Sequence, residues 1–349
     1  MTKKLLVGVV AVVAVAILGI TLFGGKSMAK AKLNTKQQHI ATIAAATSRG
    51  DMETLTIALN NALDDGLTIN EGKEILVQLY AYCGFPRSLN AITNMMNVVN
   101  DRQSKGIKDT VGVEPTPLTQ DVATRNQIGK ETRDTLSGRP FSAAFADFTP
   151  AIDDFLKEHL FADIFARGVL NEQEREIATI AALAAKTGVD GQLASHIAMG
   201  KNQGLTDEQI DEIKYIATKP TDIIFGFGNE NIAYAKYFTG KSYLSPISDA
   251  QIHISNVTFE PTVRNNWHIH HGGGQILLAT HGRGWYQEWG KPAVELKPGD
   301  KVNIAPGVKH WHGATRDSWF THIAIAVPSE NGHTEWLEPV SDEEYNKLK

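Results

Sequence analysis

Trp267-His268-Ile269-His270-His271-Gly272-Gly273-Gly274-Gln275 is the stretch that decides how this chain is read. Side chains alternate between faces along an extended segment, so His268 and His270 point one way and Ile269 the other. Gln275 opens the next apolar run, residues 276–280. Further on, Pro306-Gly307-Val308-Lys309-His310-Trp311-His312 repeats the alternation, with His310 and His312 on one face. Four neutral donors, His268, His270, Gln275 and His310, can therefore converge on one cation.

Working outward, residues 276–280, 285–289, 294–296, 301–304, 310–314 and 320–327 read as short strands. Turn residues separate them at Gly282-Arg283-Gly284, Gly290-Lys291-Pro292, Lys297-Pro298-Gly299-Asp300 and Pro306-Gly307. The pattern is all-β. His322 has the parity of Ala324 and Ala326, small neighbours that leave room for a substrate. It is the first candidate for a general base, with His312 second. The competing account of His312 is a hydrogen-bond partner that fixes a ligand's tautomer. His281 and His333 fall in turn-like contexts and are expected to be solvated.

These spacings resemble the cupin family over roughly residues 245–335. The first motif is the HxH with its following amide and the glycine turn Gly282-Arg283-Gly284; the second runs from Gly299-Asp300 through Pro306-Gly307 to His310. The resemblance implies a small double-sheet β-barrel. Gln275 stands where the family usually carries glutamate. With three imidazoles and an amide, a bound divalent ion keeps most of its charge, which favours Lewis-acid over redox chemistry. Imidazole donors admit manganese, iron, nickel, copper and zinc alike. The segments His310-Trp311-His312-Gly313-Ala314 and Thr321-His322-Ile323-Ala324-Ile325 also look like short bacterial manganese cupins with hydroxynitrile lyase activity. That resemblance implies His268, His270, Gln275 and His310 as ligands, His322 as base, and manganese ahead of iron, zinc or nickel.

Residues 36–115 and 150–220 carry alanine, leucine and isoleucine at helical spacing. They also repeat each other. Ile40-Ala41-Thr42-Ile43-Ala44 returns as Ile177-Ala178-Thr179-Ile180-Ala181, and Gly66-Leu67-Thr68 as Gly204-Leu205-Thr206. In each copy the glycine ends one helix and the threonine caps the next. A polar stretch at residues 101–120 reads as a linker, and residues 155–167 as an amphipathic helix.

The helical part resembles the carboxymuconolactone decarboxylase family, which includes alkylhydroperoxidase D-like proteins. The resemblance rests on Arg175-Glu176-Ile177-Ala178-Thr179-Ile180-Ala181-Ala182-Leu183, Gln192-Leu193-Ala194-Ser195-His196-Ile197 and Tyr80-Ala81-Tyr82-Cys83-Gly84-Phe85-Pro86. It implies an all-helical fold and a homo-oligomer, trimer or hexamer. The peroxidase branch uses C-x-x-C-x-x-x-H, but Val189 and Gln192 stand at the cysteine positions, so the redox dithiol is missing. Glu176 and His196 survive as a candidate acid/base pair, against a purely structural ion pair. Ala58 takes the place of His196 in the first copy. Cys83, the single cysteine, excludes an internal disulfide and is expected to be buried and inert.

The expected architecture is multidomain α + β, an all-α duplicated helical domain followed by an all-β cupin barrel. Its parts are an export segment at 1–31, repeats at 32–115 and 116–240, and the barrel at 241–349. In the export segment Lys3-Lys4 precede an apolar run at residues 5–23. Such a run reads as a signal peptide, with Ala29 and Ala31 as a cleavage site, or as an uncleaved anchor. Either way the folded part is expected outside the cytoplasm, periplasmic, extracellular or tethered to the membrane by that segment alone. The net charge of −5 shows no basic patch for nucleic acid, so the expected partner is a small molecule. The leading functional expectation is an exported metal-dependent lyase or decarboxylase acting on a small carbonyl or lactone substrate. The alternatives are an alkylhydroperoxidase-like antioxidant, a cupin dioxygenase and a non-enzymatic small-ligand-binding envelope protein.

Overall fold

The computed structural model describes residues 32–117 and 121–348; the expected export segment lies outside them. The helical part opens with α1 (Thr35–Arg49), α2 (Met52–Asp64) and α3 (Ile69–Ser104). After α4 (Val122–Ser137), α5 (Ala144–Phe148) and α6 (Pro150–Phe155) it closes with α7 (Glu172–Ala184), α8 (Asp190–Asn202) and α9 (Asp207–Thr218). The duplication is visible in the caps. Asn34 and Asn171 each close a capping box on α1 and α7, and Thr68 and Thr206 do the same on α3 and α9. Gly66 and Gly204 take φ of 93° and 91°, a left-handed conformation that costs glycine least. Small residues let α1 and α7 approach closely: Ala41, Ala44 and Ala45 meet Ala178, Ala181 and Ala182 in one fully buried core with Ile40, Ile43, Ile177 and Ile180.

Two segments differ from the expectation. The helix expected at residues 155–167 is a π-helix over Leu156–Ile164 followed by a 3₁₀ turn, Phe165–Arg167. Its wider turn buries Leu160, Phe161 and Ile164 together, against α4. The helix α4 has a mostly polar sequence with only Gly129, Arg133 and Leu136 buried, and therefore no apolar stripe to betray it.

The C-terminal part contains β1 (Asn229–Glu230), β2 (Ser242–Ser248), β3 (Ile254–Phe259), β4 (His268–His271), β5 (Gln275–Gly282) and β6 (Gly284–Glu288). It continues with β7 (Val294–Leu296), β8 (Lys301–Ile304), β9 (His310–Ala314), β10 (Phe320–Ala326), β11 (His333–Trp336) and a final helix α10 (Asp342–Tyr345). One antiparallel sheet runs β1-β2-β3-β10-β5-β8 and the other β11-β4-β9-β6-β7. Between them lie Val257, Phe259, Leu277, Tyr286, Ala314 and Phe320. The sheet begins ahead of residue 241, because the two-residue β1 pairs with β2. His281 and His333 lie within β5 and β11, not in turns. The helical and β parts meet at Glu260, whose Oε1 accepts hydrogen bonds from Tyr215 of α9 (3.1 Å) and Tyr243 of β2 (2.7 Å).

Candidate metal centre in the barrel

The HxH motif lies on β4, paired with β9 so that His268 sits directly opposite His310. Their ring centroids are 4.0 Å apart, and the His270 ring lies 5.1 Å from His268 and 5.3 Å from His310. Two glycines bring Gln275 into reach. A Cβ on Gly273 would meet the Val327 carbonyl oxygen at 2.0 Å, and one on Gly274 the Ile304 carbonyl oxygen at 2.1 Å. Only glycine lets the chain pass that close and start β5 at Gln275. Gly307 ties the other motif in, its N–H donating to the His270 carbonyl at 2.9 Å.

The tautomers follow from hydrogen bonding. His268 Nδ1–H donates to the Asn266 carbonyl and His310 Nδ1–H to the Val308 carbonyl, each at 2.9 Å. His270 Nδ1 shares a 3.1 Å hydrogen bond with Thr334 Oγ1, a hydroxyl that serves either tautomer. The neutral rings of His268 and His310 then turn the lone pair of Nε2 away from these carbonyls. Nε2 of His270, Nε2 of His310 and Oε1 of Gln275 are buried with no hydrogen-bond partner. Buried acceptors without donors are rare and costly, and a cation satisfies them. Burial, reinforced by the neighbouring imidazoles, pushes His268 well below the usual histidine range. Burial lowers His270 and takes His310 down to about 4. All three stay neutral at pH 7, the state in which imidazole ligates. The donor set therefore fits a divalent ion.

His312 adjoins this set, one of its ring nitrogens lying within 4.8 Å of a ring nitrogen of His268 and one of His310. Asn265 Oδ1 accepts the His312 backbone N–H at 3.0 Å, which fixes the amide so that Asn265 Nδ2 donates to His312 Nε2, also at 3.0 Å. With Nε2 accepting, the ring proton is on Nδ1, which has no protein partner. His312 thus offers a buried, unpartnered N–H. His322 is fully buried beside Phe259 (5.6 Å) and Phe320 (5.1 Å), which are 6.5 Å from each other, and edge-on to His312 at 4.8 Å. Neither of its nitrogens has a partner, and burial holds it near pKa 3, neutral with a free lone pair.

Three contributors escaped the sequence reading: Asn265, Thr334 and Trp336. Trp336 pairs across from His268 and covers it at 4.8 Å. The alternation His333-Thr334-Glu335-Trp336 was the available signal for β11.

In the helical part, His196 Nδ1–H donates to Glu176 Oε2 at 2.8 Å, and Tyr82 OH donates to His196 Nε2 at 3.4 Å. Glu176 and His196 are both buried, and Glu176 Oε1 has no partner. Cys83 is only half-buried; its Sγ donates to the Leu79 carbonyl and burial raises its pKa, so it is no thiolate.

Two antiparallel sheets enclosing an HxH…Q…H set define a cupin barrel, here joined to a duplicated helical unit. The helical part matches the carboxymuconolactone decarboxylase family over residues 18–93 and 150–219. Over 117 residues the chain is 40% identical to an (R)-mandelonitrile lyase of Granulicella tundricola, covering 32% of this chain and 88% of that protein. Among solved structures, a cupin-like protein from Thermotoga maritima is 43% identical over 36% of this chain and 96% of its own, with a TM-score of 0.34. The lyase DddQ from Ruegeria pomeroyi, described as acting on DMSP, is 16% identical over 38% of this chain and 68% of its own, with a TM-score of 0.26. The helices thus match the carboxymuconolactone decarboxylase family over those two segments, and the barrel is a cupin of the lyase type.

Proposed function

We propose that this protein is an exported, metal-dependent carbon–carbon lyase whose barrel cleaves a small cyanohydrin-like substrate to a carbonyl compound and cyanide. The observation that carries the reading is the buried, unpartnered set His270 Nε2, His310 Nε2 and Gln275 Oε1 beside His268. These four residues would hold the ion, manganese by family resemblance with iron, zinc or nickel as alternatives. A divalent cation supplies Lewis acidity that lowers the cost of negative charge on the substrate oxygen. The substrate class comes from the mandelonitrile lyase relative.

The side chains divide the remaining work. His322 Nε2 or Nδ1 takes the hydroxyl proton, the carbon–cyanide bond breaks with its electron pair leaving on cyanide, and the imidazolium returns the proton to cyanide. His312 Nδ1–H donates to the substrate oxygen as its charge grows. Phe259 and Phe320 keep water from His322. The helical repeats would build a homo-oligomer, and the apolar run at residues 5–23 supports placement outside the cytoplasm. The 2.8 Å Glu176–His196 contact favours a second reading, proton transfer within the helical unit.

Elemental analysis of the purified protein, with mandelonitrile cleavage by His268→Ala and His322→Ala, tests the barrel. The expected result is a stoichiometric divalent metal, lost in His268→Ala, and a His322→Ala variant that keeps its metal but loses turnover. A fully active metal-free protein refutes the reading.

A further inference from the structure

On the outer face of β4 and β11, His271 and His333 are directly cross-strand. Opposed residues in an antiparallel pair bring their Cβ atoms to roughly 4.5–5.5 Å. The two imidazoles accordingly lie side by side, 4.8 Å between centroids and 22° between planes. His333 Nδ1–H donates to the Asn331 carbonyl at 3.2 Å, which sets its tautomer and leaves the Nε2 lone pair free. Two residues along β11, on the same face, Glu335 Oε2 accepts from His271 Nε2–H at 2.7 Å. Two imidazoles and a carboxylate therefore share one small, solvent-accessible patch. All three belong to rigid strands, so little order is lost on chelation.

We propose that His271, His333 and Glu335 form a second divalent-metal site, exchangeable and distinct from the one inside the barrel. Parity separates the two: His268 and His270 face in, His271 faces out. Binding would use the Nε2 lone pair of the other neutral tautomer of His271, its single ring proton moving to Nδ1 by exchange with water, and the carboxylate would swing from acceptor to ligand. An N₂O set open to water suits zinc, nickel or copper(II) better than magnesium or calcium. The patch borders a cleft of about 350 Å³ lined by His253, His270, His271, His333 and Thr334. Of the inner set, His270 borders the same cleft.

The test is zinc titration by calorimetry of the tag-free full chain after chelator treatment. His333→Ala should remove one binding class, and Glu335→Gln should weaken that same class by about tenfold or more. His310→Ala should leave it intact. Unchanged zinc isotherms in His333→Ala and Glu335→Gln overturn the proposal, as does loss of the class in His310→Ala. Were the barrel to bind no metal, the wild type would show one class, still removed by His333→Ala, so the two readings fail separately.

Discussion

Acid should unfold the metal-free barrel well before the helices, and His322 allows the size of the effect to be worked out. In the unfolded chain His322 titrates near the ordinary value of about 6.5. In the fold, burial holds it at about 3. A lowered folded value means that the unfolded state binds the extra proton, so stability is full above about pH 6.5 and drains as pH falls toward 3. At pH 5 the loss from this one group is roughly 2 kcal/mol. His310, held at about 4 by burial, has the same sign and adds to it. For a barrel of about a hundred residues, 2 kcal/mol lowers the melting temperature by roughly 8–16 °C. The readout is clean, because all six tryptophans, Trp267, Trp285, Trp289, Trp311, Trp319 and Trp336, are in the β part. Tryptophan fluorescence therefore follows the barrel while far-ultraviolet circular dichroism is dominated by the helices. Melts of chelator-treated protein at pH 7.5 and 5.0 should show the fluorescence transition falling much further than the helical one. In His322→Phe, which adds a third phenyl ring to the Phe259/Phe320 stack, the pH-dependent fall should shrink by about 2 kcal/mol. An equal fluorescence midpoint at the two pH values, or an undiminished fall in His322→Phe, refutes the reasoning.

Two further outcomes concern the helices. Gly129→Ala places a Cβ 1.6 Å from the Lys157 carbonyl oxygen, so the π-helical segment must move off α4, at a cost of about 1–3 kcal/mol or more in a urea melt followed by circular dichroism. His196→Ala strands the buried Glu176 carboxylate and should cost about 3–5 kcal/mol at neutral pH, a loss that adding Glu176→Gln relieves. A neutral effect of His196→Ala would show that the pair contributes nothing to the fold.

The strands β7, β8 and β9 coincide with the expected 294–296, 301–304 and 310–314, because period-two alternation between Pro/Gly turns is a local signal. That His268 shares a strand face with His270, and His310 with His312, was legible for the same reason: a two-residue spacing on a strand already chooses a face. Local pattern could not reach α4, whose polar sequence hides its one buried edge, and for β11 it offered only a four-residue alternation. The roles of the histidines were a further step away. His312 is a donor because Asn265, 47 residues earlier in the chain, occupies its Nε2. His322 is neutral because Phe259 and Phe320 enclose it.

By itself, then, the sequence determined the periodicities: a duplicated helical unit, a β-barrel, and which side chains share a strand face. Tertiary structure decided protonation and reach. The charge state of an imidazole depends on what surrounds it, and whether Gln275 reaches His270 depends on two glycines passing against the Val327 and Ile304 carbonyls. Those contacts join residues far apart in the chain, where no local pattern can announce them.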